Sequence, residues 1–147
     1  DRDGWTALSW ASKRGHTQMV ELLLKKGAEP NTIVESDQSM FNGQKPLSFA
    51  ANNGHLDVVN LLLEKGADPN SIESKNRTPL SFAAEQGHPD AAKLLLEKGA
   101  KPHSKDHNNQ TPLSWARKGN HMEIDKVLSE LQLEGFYVNS QSSCPRQ

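Results

Sequence analysis

The sequence predicts an all-α solenoid of stacked helix-turn-helix units, and three observations in its 147 residues lead there. One phrase occurs four times: Thr6-Ala7-Leu8-Ser9-Trp10-Ala11, Lys45-Pro46-Leu47-Ser48-Phe49-Ala50, Thr78-Pro79-Leu80-Ser81-Phe82-Ala83 and Thr111-Pro112-Leu113-Ser114-Trp115-Ala116. The copies begin 39, 33 and 33 residues apart, a spacing typical of repeat arrays. A second phrase follows the first three copies in register: Leu22-Leu23-Leu24 with Gly27-Ala28, Leu61-Leu62-Leu63 with Gly66-Ala67, and Leu94-Leu95-Leu96 with Gly99-Ala100.

The third unit shows why these phrases fold as helices. Thr78 can cap a helix through its hydroxyl, and Pro79 takes the first helical position, where no amide hydrogen is missed. Leu80, Ala83 and Ala84 supply a short inner helix; the small alanines let the next helix approach, and Phe82 fills the core. Gly87 ends it in the left-handed conformation. The outer helix runs from about Pro89 to Lys98, with Ala91, Ala92, Leu94 and Leu95 forming an apolar face. Gly99 terminates it, Pro102 cannot continue it, and the polar residues 103–110 read as a loop or tight hairpin. Such a unit cannot bury its apolar faces alone; its neighbours must cover them.

A 33-residue unit carrying both phrases resembles the ankyrin repeat. The wording Thr-Pro-Leu-Ser-(Trp/Phe)-Ala, with Gly66-Ala67-Asp68-Pro69-Asn70, is similar to the ankyrin arrays of filamentous-fungal proteins. The resemblance covers almost the whole chain. It implies an ankyrin-repeat solenoid with hairpin loops projecting along one edge, acting as a non-enzymatic protein-interaction module within a larger intracellular polypeptide. On this reading residues 1–139 form the repeat domain, with units at about 3–33, 42–75, 76–108 and 109–139 and an insertion near 34–43; residues 140–147 are a polar tail. A structural spacer or an intramolecular cover for a neighbouring domain is the alternative. A regulatory segment of a fungal signalling or immune-receptor-like protein is a more remote one.

The two ends differ. Met19, Val20, Leu22 and Leu23 look like interior-repeat residues, so a further repeat is expected ahead of the first unit. The last unit looks terminal: Val127-Leu128-Ser129 replaces the Leu-Leu-Leu run, and the outer stretch is expected to continue through Leu133 and stop before Gly135. Asn120 stands where Gly15, Gly54 and Gly87 stand, and Asn is the next-best left-handed residue.

Departures from the pattern carry information. The first interval holds six extra residues, between about Val34 and Gly43. They are either a tolerated surface insertion or an enlarged hairpin whose apolar tip, Met40 and Phe41, contacts a partner. Lys45 replaces threonine, so its unit loses a hydroxyl cap worth about 1 kcal/mol if nothing replaces it. Ser9, Ser48, Ser81 and Ser114 stand where the resemblance implies histidine.

Composition narrows the chemistry. With 17 Lys+Arg against 18 Asp+Glu the net charge is −1, and no excess of positive charge points to nucleic acid or membrane as a partner. The single cysteine, Cys144, can make neither an intrachain disulfide nor a multi-thiolate zinc site. The 34% of hydrophobic residues is lean for one thick core but suits thin shared layers. His16, His55, His88 and His121 recur once per unit at the start of each outer helix. Successive layers lie roughly 8–10 Å apart, whereas zinc ligands sit about 2 Å from the ion, so a structural role is expected. His103 and His107 share a loop without acidic or cysteine partners. No phosphate-binding loop or Gly-x-Ser-x-Gly elbow occurs. We therefore expect no catalytic residues, cofactor or metal, and a monomer that binds a protein or peptide.

The candidate binding residues lie on hairpins and at inner-helix ends. Trp5 precedes the first phrase, where its counterparts are Gln44, Arg77 and Gln110; it is either an exposed anchor or packs on a preceding repeat. The helix ends carry Lys13 and Arg14, then Asn53, then Glu85 and Gln86, then Lys118, a basic, neutral, acidic and basic series. Met40 and Phe41 complete the set. Trp10, Phe49, Phe82 and Trp115 share one repeat position and are expected to form a buried aromatic column.

Overall fold

The computed structural model describes residues 4–35, 41 and 43–142, with 133–142 as backbone alone. Among the described residues the chain forms eight α-helices: α1 (Ala7–Arg14), α2 (Thr17–Lys25), α3 (Pro46–Asn53), α4 (Leu56–Glu64), α5 (Pro79–Gln86), α6 (Pro89–Glu97), α7 (Pro112–Lys118) and α8 (Met122–Ser142). One 3-10 turn, Ser74–Asn76, lies between α4 and α5. The odd-numbered helices pack in sequence as an inner row, α1 on α3, α3 on α5 and α5 on α7. Each also packs on its own outer helix, and the outer helices contact one another down the second row. No described helix is long and apolar enough to cross a membrane.

The inner helices start as their phrase dictates. Thr6, Thr78 and Thr111 accept a hydrogen bond from the backbone N–H of Ser9, Ser81 and Ser114. Lys45 makes no such bond, and the freed Ser48 hydroxyl donates instead to Glu73 of the following hairpin. Leu47, Leu62, Leu80 and Leu95 are fully buried, and burying a leucine side chain stabilises by about 1.5–3 kcal/mol. With the alanines between them, they run as one continuous core through all four units.

The two flanks of the insertion pair with each other. Val34 is fully buried; its N–H donates to the Gln44 carbonyl at 2.9 Å, and its own carbonyl accepts from Gly43 at 2.8 Å. Gly4 approaches the Glu35 backbone so closely that any Cβ would overlap it. α8 departs from expectation, continuing past Gly135 to Ser142. A glycine inside a helix costs only about 1 kcal/mol, which the helix formers before it, Leu131 to Glu134, offset. Residues 143–147, the rest of the expected tail, lie outside the described residues.

Candidate interaction surface

The aromatic position of the inner helices does not form the uniform column expected. Phe49 and Phe82 are buried, Trp115 is half-buried, and Trp10 is 39% exposed. The rings are interleaved with side chains from the hairpins. Trp5 lies between Trp10 of its own unit, 4.6 Å between ring centroids, and Phe49 of the next, 4.7 Å. Arg77, at the equivalent hairpin position two units on, lies over Phe82 of its own unit at 4.1 Å and Trp115 of the next at 4.5 Å. An aromatic ring in one place and a guanidinium in the other do the same work, filling the step between successive rings.

Trp5 is therefore not an exposed anchor. It is only 8% exposed, and it packs on Trp10 and on Phe49 of the next unit. Phe41 is half-buried against Trp5 at 5.5 Å and Phe49 at 5.7 Å, so it turns inward instead of forming a free tip. Met40 falls outside the described residues.

The cations of this face sit over the same rings. Lys13 Nζ lies 4.2 Å from the Phe41 centroid and 4.9 Å from that of Trp5. Arg14 lies 5.8 Å from Trp10, and Lys118 5.0 Å from Trp115. The ring quadrupole attracts each cation by about 0.5–1 kcal/mol where exposed. Glu85, the acidic step of the expected series, pairs with Arg77 at 2.7 Å. That pairing removes the acidic stretch, and the face is basic at both ends and compensated in the middle.

The remaining candidates divide by exposure. Arg14, Asn53, Gln86 and Lys118 are exposed at the ends of α1, α3, α5 and α7. Asn53 donates to the Phe49 carbonyl at 2.8 Å. Gln44 and Gln110 are half-buried and engaged through their backbones, Gln110 with the Asp106 carboxylate at 2.9 Å. Burial opposes ionisation of Asp106. The N–H groups of Gln110 and Asn108, the Trp115 indole at 2.9 Å and the Arg77 charge outweigh it and hold the carboxyl below the usual range.

Two joints between units carry no mark within a single unit. His55, His88 and His121 each donate from Nε2 to a carbonyl of the preceding unit: Lys13 at 3.0 Å, Asn52 at 3.0 Å and Glu85 at 2.8 Å. A carbonyl only accepts, so the proton must be on Nε2. Each ring lies against the glycine ending the preceding inner helix; a Cβ on Gly54 would come within 2.5 Å of the His88 ring. The recurrence of Gly-His in three successive units was the available sequence signal. On the other edge Asn70 donates to the Gly99 carbonyl and accepts from Lys101 N–H, and Asn31 does the same with Gly66 and Asp68.

Two further features lie apart from this face. A shallow groove of about 440 Å³ runs between α4 and α6, lined by Leu56, Asp57, Asn60, Asp90, Lys93, Leu94 and Glu97. Among the described residues no three His, Cys, Asp or Glu side chains gather at metal-binding range.

A family model of ankyrin repeats in three copies matches residues 33–106, and one of a single ankyrin repeat matches residues 3–34. Two curated plant proteins are similar over 43 residues. They are calmodulin-binding transcription activator 6 of Arabidopsis thaliana, 44% identical, and calmodulin-binding transcription activator 5, 42% identical. Each match covers 29% of this chain and only 5% of the relative's length.

Proposed function

This chain belongs to the ankyrin repeat family, and from that premise we propose that it is a non-enzymatic module binding an acidic segment of a protein partner. The binding surface is the face formed by the inner-helix ends and hairpins, across units at about 3–33, 42–75, 76–108 and 109–139. One observation carries the reading. Lys13 and Arg14 at one end and Lys118 at the other are held over aromatic rings along this face, while Arg77 and Glu85 in the middle neutralise each other. Rings that restrict a cation reduce the ordering cost of binding, and complementary charge speeds encounter. The groove on α4 and α6 carries Asp57, Asp90 and Glu97 against Lys93 and offers no comparable set. A larger parent polypeptide, and the fungal likeness of the repeat wording, belong to the same proposal.

The test is selection from a peptide library of varied charge by the immobilised chain. The wild type should enrich Asp- and Glu-rich peptides and lose them as salt is raised. Arg14→Glu with Lys118→Glu should abolish enrichment while leaving the helical spectrum intact, because both side chains are exposed. Enrichment of the same peptides by the double variant would sink the proposed surface.

A further inference from the structure

We infer that the groove between α4 and α6 docks a basic amphipathic helix of a partner protein, on a surface opposite in charge to the inner-helix face. The groove is shallow and has a volume of about 440 Å³. Leu56 and Asn60 line one side at a helical spacing of four, and Asp90, Leu94 and Glu97 line the other at spacings of four and three. Side chains so spaced form rows along a helix, and the furrow between two rows takes the ridge of a third helix. From Asp90 to Glu97 is about 10 Å of helix, so roughly two turns of a partner can lie along it.

Charge selects the occupant. Asp57, Asp90 and Glu97 are all exposed, and no ion pair among the described residues engages them. The cation of the lining, Lys93, is bonded to Glu123 of α8 at 2.9 Å. That carboxylate raises the pKa of the ammonium, and Asp90 is a lesser contributor. The groove thus presents three carboxylates against one ammonium that is already engaged outside it. An apolar side chain lying over Leu56 and Leu94, flanked by lysine or arginine on the same helix face, matches this lining. The surface is small, which places the complex in the transient class.

Stacking of the units does not dictate this combination. Leu56 is 40% exposed, and Thr17, Pro89 and Met122 hold its position in the other units. Between α2 and α4 the positions equivalent to Leu56, Asp57 and Asn60 are Thr17, Gln18 and Glu21, which carry no apolar side chain. Between α6 and α8 the Lys93–Glu123 pair bridges the two helices. The groove is separate from the inner-helix ends, so the two surfaces can fail independently.

The test is an anisotropy titration of the intact chain with a fluorescent helical peptide of lysines carrying one leucine stripe. Saturable binding is expected. Asp57→Asn with Asp90→Asn should weaken it about tenfold, the loss of two exposed charge pairs. Both side chains are exposed, so the helical spectrum should be retained. Leu56→Ser, or the same peptide with serine in place of leucine, should weaken binding several-fold at unchanged charge. Arg14→Glu with Lys118→Glu should leave it intact while abolishing enrichment of acidic peptides. No binding, equal affinity for the serine peptide, or full binding by the Asp57→Asn and Asp90→Asn variant would each overturn the inference. So would loss of the lysine peptide in the Arg14→Glu and Lys118→Glu variant, which would place it on the inner-helix face.

Discussion

The guanidinium of Arg77 lies 4.5 Å from the Trp115 ring, joining the hairpin of the third unit to the inner helix of the fourth. The same guanidinium covers Phe82 and pairs with Glu85, so one side chain links two units and cancels the acid on the candidate surface. A partly buried cation–π contact stabilises by about 1–2 kcal/mol. In a double-mutant cycle, Arg77→Ala and Trp115→Ala should therefore show a coupling of about 1 kcal/mol. Additive effects would mean that the stacking contributes nothing.

Trp5 fills the equivalent step between Trp10 and Phe49. As an exposed anchor it could be truncated without cost. Buried as it is, Trp5→Ala should destabilise by about 3 kcal/mol, the lower end for removing a packed aromatic ring. An unchanged melting temperature would contradict the packing described.

The histidine plugs make a joint that can be tested from both sides. His88→Ala leaves the Asn52 carbonyl without its partner and should cost about 1–3 kcal/mol. Gly54→Ala should destabilise through two effects, left-handed strain of about 1–2 kcal/mol and collision of the new methyl with the His88 ring. Only the strain should persist in the His88→Ala background. Denaturant titration of both singles and the double variant measures the difference, and equal costs of Gly54→Ala in the two backgrounds would refute the collision.

Glu73 predicts a pH dependence. Burial pushes its carboxyl up to about 7, against the lowering influence of the Ser48 hydroxyl, Lys45 and Ser71. The folded state therefore holds this proton between about pH 4.5 and 7, where the unfolded chain releases it. Stability should fall as pH rises through that window, by at most about 3 kcal/mol from this group. Glu73→Gln should flatten the profile and stabilise the chain at pH 8. A parallel profile for the variant would show that Glu73 ionises freely in the fold.

The helices were legible because each repeated phrase contains its own start and stop: a hydroxyl or proline before the inner helix and a left-handed residue after it. The order of layers followed from the register of the phrases. The joints were not legible, because each lies between residues 36 to 42 positions apart in chain sequence. A single unit shows a histidine at a helix start and nothing of the carbonyl it reaches. The Lys45 defect was visible, but its consequence was not: Ser48 turns to a glutamate 25 residues later, and no pattern marked Glu73 as buried. Trp5 and Phe41 were picked out as anchors because they break the repeat. They break it to fill a step in the ring stack, a packing role that composition does not distinguish from a binding one.

On the proposed reading, acidic partners bind the inner-helix face and not the outer helices. Its most direct measurement is site-specific photocrosslinking to an enriched acidic peptide, with the crosslinker placed at Gln86 on one face or at Asn60 in the α4–α6 groove. Efficient crosslinking from position 86, competed by salt, is expected, with only background from position 60. Crosslinking from position 60 with none from position 86 would contradict it.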